Sequence, residues 1–323
     1  MFLMPGSRAR LRSVSTLNGQ NGNLQLVVPP LGRLTLASGT PVMSASQAAR
    51  STVYYTPYAG AIVPIYNGVQ FLMLPFNEIS QATTDTTKSP AAVANNSVYD
   101  IFVWNDNGTI RATRGPAWSN STTRGYTLTM VNGILLNTSS ITNGPYALRG
   151  TWVGTIASNG TATIDYIFGA AASGGTAAVL NVWNAYNRVT VGTTVIDNGT
   201  TYTYSSSTVR QARASAGNQI SFVLGSQEDS VQFFYDFQVL TASTLQSTGQ
   251  AGVGFDVTNA FSVQKAVIQT PVAAIMTGTN SNSGVWNVGI GTHILAAVEA
   301  GDGSTSVTFN DNSTNALSAT LRM

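Results

Sequence analysis

The sequence predicts an all-β protein: antiparallel β-sandwich or jelly-roll domains with short hairpins, preceded by an extended N-terminal arm. Three observations lead there. Short β-branched and aromatic runs recur along the chain, Asn-Gly turns stand between them, and no segment sustains a helical period.

The turns are the most specific of these signals. Eight Asn-Gly dipeptides occur. A two-residue hairpin of the primed type needs positive φ at both central positions, which Asn and Gly adopt at the least cost. Ser97 to Trp104 and Thr109 to Thr113 flank Asn107-Gly108, and Tyr126 to Val131 and Ile134 to Leu136 flank Asn132-Gly133. Asn159-Gly160 stands between Thr151 to Ile156 and Thr161 to Phe168, and Asn198-Gly199 between Val189 to Ile196 and Thr200 to Tyr204. Apolar spacing compatible with a helical turn is confined to Asn77 to Ala82 and Val179 to Tyr186. Many short strands favour sandwich or jelly-roll closure over an open sheet, because closure removes exposed edges. Val307 to Phe309 and Leu317 to Leu321 are candidate final core strands. No fixed-period repeat argues for a propeller or β-helix.

At 323 residues the chain has room for about two domains. Residues 1–33 are polar and turn-rich until Leu24 to Val28, where Pro29 and Pro30 stop any ladder, and they read as a docking arm, with Met1 to Leu31 lying along a neighbouring subunit or, alternatively, forming an edge strand wrapped on its own domain. A first β-domain is expected over 34–188 and a second β-sandwich over 189–323. The small-residue run Gly249 to Gly254 is an alternative boundary.

Composition sets the class of function. Only 9% of residues are charged, where about 25% is usual, while 43% are hydrophobic. Ser, Thr, Asn and Gly must therefore cover a surface that in a free monomer relies on charge to block association. A subunit whose strands are covered by copies of itself needs less of that protection. The net charge of +2 is slight and only Arg8, Arg10 and Arg12 cluster, with no interleaved aromatics, so nucleic-acid binding is not expected. The absence of cysteine leaves stability to packing, without disulfides or thiolate metal sites. No apolar run is long enough for a membrane span, and Met1 to Met4 precedes the arginines, the wrong order for an export signal, so assembly in a cytoplasm is expected.

Residues that could carry chemistry are few. His293 is the single histidine, with no carboxylate nearby in sequence until Glu299, and reads as a hydrogen-bonded strand residue rather than a base or a metal ligand. Glu228-Asp229 is the one adjacent acidic pair, and it reads as a solvated hairpin tip rather than the two carboxylates of glycan hydrolysis. Asp100, Asp165 and Asp236 sit beside Tyr99, Tyr166 and Tyr235, which suggests a half-buried ring alternating with an outward acid. Asp302 and Asp311 have no calcium-loop spacing, and Gly169 to Gly175 lacks the ending of a phosphate loop. No catalytic residue, cofactor or metal is therefore assigned. Trp118, Trp183 and Tyr186 are candidates for stacking on a glycan, or for core and subunit-interface anchors.

Several blocks carry a resemblance. SGTPVM (Ser38 to Met43), YYTPY (Tyr54 to Tyr58) and VPIYNG (Val63 to Gly68) resemble a family of phage and prophage structural proteins encoded among tail, fibre or collar genes. GPAWS at Gly115 to Ser119, RGTWVGTI at Arg149 to Ile156, VWNAYNRV at Val182 to Val189 and, less closely, GTHILAAVE at Gly291 to Glu299 extend the similarity. The resemblance implies a virion component and transfers no catalytic residue. It says little about which one; the leading expectation is a fibre, spike or collar subunit, trimeric by inference from the fibre class, docked through the arm with Arg8, Arg10 and Arg12 to other head, neck or tail proteins, with host surface glycan as a candidate contact at its far end. A capsid decoration or minor head protein is the alternative within the class. A capsular polysaccharide depolymerase is the alternative outside it.

Overall fold

A computed structural model describes residues 10–13, 24–241, 247–263, 266–269, 277–309 and 315–323. Arg8 and Asp311 lie outside the described residues, and Arg10 and Arg12 fall on the first strand. The fold is all-β, as the sequence predicts, with largely antiparallel pairing and, among the described residues, one three-residue 3₁₀ turn at Ala212–Ala214. The chain folds into two units, Met1–Asp165 with Val182–Val189, and Tyr166–Asn181 with Thr190–Met323.

In unit 1, β1 (Arg10–Ser13) and β2 (Leu24–Val27) pair antiparallel, with Arg10 opposite Val27. Then come β3 (Gly32–Thr35), β4 (Gln47–Arg50), β5 (Thr52–Pro57), β6 (Ile62–Tyr66), β7 (Phe71–Pro75) and β8 (Ile79–Ala82). Strands β3, β5 and β8 form one sheet in that order, and β6 and β7 form a pair. The main sheet of the unit uses β9 (Val98–Asp106), β10 (Thr109–Arg114), β11 (Leu128–Val131), β12 (Ile134–Asn137) and β13 (Thr151–Ala157), in the order β10-β9-β13-β12-β11. Every residue of β13 is buried, as is β9 from Val98 to Val103, so these central strands are covered on both faces.

The chain crosses into unit 2 within β14 (Ile164–Ile167), continues through β15 (Ala171–Ala172) and β16 (Ala178–Leu180), and returns to unit 1 for β17 (Val182–Asn184), which pairs with β13. The remainder of unit 2 runs through β18 (Thr190–Asp197), β19 (Tyr202–Tyr204), β20 (Arg210–Gln211), β21 (Gln219–Leu224), β22 (Ser230–Leu240), β23 (Thr248–Phe255) and β24 (Ala266–Gln269). It ends with β25 (Thr277–Asn287), β26 (Gly291–Ala300), β27 (Val307–Phe309) and β28 (Asn315–Arg322). One sheet runs β24-β23-β26-β21-β16-β14, and the second runs β15-β18-β28-β22-β27-β19 with β25 on the far side of β22. The two sheets meet through aromatic contacts: Phe233 of β22 meets Phe255 of β23, and Trp286 of β25 stacks on Phe255 at 4.4 Å.

Two of the four expected hairpins form. Asn107 (φ 49°) and Gly108 (φ 97°) join β9 to β10, and Asn132 (φ 50°) and Gly133 (φ 88°) join β11 to β12, both with the paired positive φ of a primed turn. Asn159-Gly160 and Asn198-Gly199 do not. At Asn159 the side-chain Oδ1 accepts from the N–H of Thr161 and of Thr163, closing a wider turn in which Ser158 bridges Ile164, after which β14 pairs with β16 rather than along β13. After Asn198, β19 pairs with β27 rather than with β18. The segments with helical spacing, Asn77 to Ala82 and Val179 to Tyr186, contribute strands β8, β16 and β17 instead. Gly249 to Gly254 is no boundary either: it lies within β23, where a Cβ on Gly254 would stand 2.3 Å from the carbonyl oxygen of Val257. Its small residues serve close packing.

Candidate functional site

Three clusters gather polar chemistry, two interior and one open. In unit 1 the hub is Asp100, on β9, which is 4% exposed. Its Oδ1 accepts from Trp152 Nε1 (2.9 Å) and Thr155 Oγ1 (2.7 Å) on β13, and its Oδ2 from Trp118 Nε1 (3.1 Å) and Arg124 Nε (2.9 Å). The Arg124 guanidinium lies 4.9 Å from the Trp118 ring centroid and 5.0 Å from that of Trp152, so the cation is held between two indoles. Trp183 continues the stack at 5.5 Å from Trp152 and carries Arg188 over its ring. Burial pushes the Asp100 carboxyl up, and the charge of Arg124 and these donors work against that push.

Asp100 therefore reverses the expectation that it points outward beside Tyr99: both are buried. Asp165 and Asp236 keep that alternation, each partly exposed beside a buried tyrosine, Tyr166 and Tyr235. Trp118 and Trp183 are 6% and 1% exposed, so neither ring is open to a glycan, and both act as core anchors of unit 1. Tyr186 is half-buried, and its hydroxyl accepts the backbone N–H of Leu135.

The cluster of unit 2 was not foreseen from the sequence. Glu299 of β26 is 1% exposed, and its Oε1 accepts from Arg210 Nε (2.9 Å) and the backbone N–H of Arg213 (3.2 Å). Tyr202 of β19 donates its hydroxyl to the other oxygen. Asp197, at the end of β18, is 2% exposed and accepts from Arg213 Nε (2.8 Å) and from the N–H groups of Gly174 and Gly199. Arg213 lies over the Tyr202 ring at 4.3 Å and Arg210 over Tyr204 at 3.6 Å, so two acids, two arginines and two tyrosines form one connected network. Burial raises Glu299 against the pull of Tyr202 and Arg210, and raises the Tyr202 hydroxyl further through the neighbouring carboxylate.

The third cluster is an open groove of about 510 Å³ in unit 1, between the β8 and β10 regions. Ile79, Ile110 and Ala112 line it with Glu78, Asp85, Lys88 and Arg111. Its charges are engaged locally. Lys88 and Arg111 both reach Asp106 Oδ2 at 2.7 Å and hold that carboxyl below its ordinary range. Glu78 and Asp85 are also lowered: the partial burial that would raise them is outweighed by donors from Ser38, Thr56 and Gly39 on one, and from Thr87, Gln81 and Lys88 on the other.

Of the remaining residues singled out in the sequence, His293 lies on β26, is 7% exposed and has both ring nitrogens engaged, Nδ1 with Asp256 Oδ2 (2.9 Å) and Nε2 with the carbonyl of Gly289 (3.2 Å). Asp256, distant in sequence, is the carboxylate that no local spacing announces. Glu228 and Asp229 lie in the turn between β21 and β22, with Asp229 3.8 Å from Arg322. Asp302 caps its own turn by accepting from Ser304, Thr305 and Thr248. Among the described residues no group of three metal-ligating acids or histidines forms, and no helix is long and apolar enough to cross a membrane.

No family model matches this sequence, and no curated protein matches it. Among solved structures, a Bacillus thuringiensis Cry1Da tryptic core variant aligns at 5% identity and a TM-score of 0.18, over 84% of this chain and 48% of that one. The chain thus spans about half the length of that protein. An exo-β-1,3-galactanase from Phanerochaete chrysosporium with galactose aligns at 10% identity and a TM-score of 0.12, over 84% of this chain and 78% of that one. Likenesses this slight carry neither fold nor function to this chain.

Proposed function

We propose that this chain is a non-enzymatic structural subunit of a bacteriophage particle, of the fibre, spike or collar type, that associates with copies of itself and with other virion proteins. One observation carries the reading: ionic side chains are few, 15 Lys and Arg with 13 Asp and Glu, and several of those few are buried inside the units. Asp100, Asp197, Glu299, Arg33 and Arg114 are all buried, and Arg114 donates to the backbone carbonyls of Ala82, Asp85 and Ala91. What remains outside is largely hydroxyl, amide and glycine, a surface poorly guarded against association. The blocks that resemble phage structural proteins act as packing elements: Trp118 and Trp152 from two of them flank Arg124 and bond to Asp100, Trp183 from a third packs on Trp152, and Thr151 donates to the carbonyl of Pro64 in a fourth.

The test is to locate the chain on purified particles, by protein mass spectrometry followed by labelled electron microscopy. Density on a fibre, spike or collar supports the proposal. A position flat on the head favours the decoration reading. Absence from the particle overturns the virion assignment.

A further inference from the structure

We propose that the outer edge of β25 pairs with β25 of a second copy, so that the sheet containing β22 and β25 continues across a two-fold axis. This rests on the self-association reading above and names the surface responsible.

A strand edge presents unpaired N–H and C=O groups, and monomeric proteins guard such edges with lysine, proline, a bulge or brevity. β25 has none of these. Its 11 residues, TGTNSNSGVWN, include no charge and no proline. Its register on β22 runs unbroken from Ser230 opposite Asn287 to Leu240 opposite Thr277, with no bulge. Among the described residues β22 is its one ladder partner, which leaves roughly 37 Å of edge open at about 3.4 Å per residue. Other edge strands are managed differently: β24 has 4 residues, β19 has 3, and β10 carries Arg111 and Arg114.

The side chains beside this edge fit a copy of themselves. Thr277, Thr279, Ser281, Ser283, Val285 and Asn287 all face outward and exposed. Antiparallel pairing of identical neutral strands places no like charges opposite one another, whereas a charged partner strand would meet nothing complementary. Phe234, 43% exposed on the adjacent β22, and Val285, 60% exposed, add apolar area that such a junction would cover. The pairing is isologous, so it closes at two copies and builds even-numbered assemblies.

The test uses the full chain and light scattering on a sizing column. The expected mass is an even number of copies. The Thr279→Lys/Ser283→Lys variant, which sets like charges across the proposed junction on exposed positions opposite the neutral Gln238 and Phe234, should halve that mass with an unchanged far-ultraviolet spectrum and melting curve. The chain has no cysteine, so Ser283→Cys supplies a second readout: a short bismaleimide should join two copies through it, while Asn107→Cys, on a hairpin tip of unit 1, should not be joined. An assembly unaffected by the lysines and not joined at position 283, or one of three copies, overturns the β25 pairing and leaves self-association standing. A monomer at every concentration up to the micromolar range overturns both.

Discussion

The two units bury charge in different ways. Unit 1 encloses one carboxylate, Asp100, with one cation, Arg124, and fills the remaining lone pairs with indole and hydroxyl donors. Unit 2 encloses two, Asp197 and Glu299, and joins them through Arg213 and the Tyr202 hydroxyl, with Arg210 as a second cation. A solitary ion pair fails when either member is lost, because the survivor stays buried and uncompensated. A shared network spreads the same loss over several donors. Unit 1 should therefore be the more brittle of the two at its charge centre.

The largest expected effect follows from that contrast. Arg124→Ala should cost about 3–5 kcal/mol, read as an early loss of tryptophan fluorescence in urea, since Trp104, Trp118, Trp152 and Trp183 lie in unit 1 and Trp286 in unit 2. A shift under half that size would show that the indoles alone can hold Asp100. Tyr202→Phe should cost unit 2 less, about 1–2 kcal/mol, seen in the dispersed proton resonances of His293, the one histidine, while the fluorescence transition stays in place. Equal losses in both units would remove the distinction.

Smaller again is the acid response. Glu78 and Asp85 in unit 1, and Asp302 in unit 2, are held below the ordinary carboxylate range by hydrogen bonds that outweigh partial burial. The unfolded chain takes up their protons first, so their stabilisation is full at neutral pH and fades as pH falls through and below that range. Asp100 and Glu299, raised by burial, act oppositely just above it, where the folded chain keeps a proton the unfolded chain has lost. Melting temperature should hold or rise slightly on mild acidification, then drop, and Asp302→Asn should flatten the drop. A steady fall from pH 7 downward would contradict the raised pair. The smallest effect is expected at a hairpin tip: Asn107→Ala, at φ 49°, should cost about 1 kcal/mol, measured by chemical denaturation against Asn95→Ala, an exposed control lacking positive φ.

The strand content and two of the hairpins were legible because their causes are local: alternation and the positive φ of Asn-Gly. The interior networks were not, because their members come from far apart. Asp100 and Trp152 are 52 positions apart, Arg210 and Glu299 are 89, and His293 and Asp256 are 37. The adjacency of Tyr99 and Asp100 misled for a definite reason. Alternation assigns one face to solvent, but β9 is covered on both faces, so its acid had to find a buried partner. The glycines of β23 looked like a linker because close packing and loose connection select the same small residue.

The excursion of Tyr166–Asn181 into unit 2 has a consequence for synthesis and engineering. The polypeptide passes between the units three times, at 165/166, 181/182 and 189/190. No single cut releases either one whole. During translation β16 emerges long before β21, its neighbour in the sheet, and β13 waits for β17 until residues of the other unit have already been made. Maturation of the two is thus interlocked, and shortening this protein by trimming an end would leave a gap in a sheet.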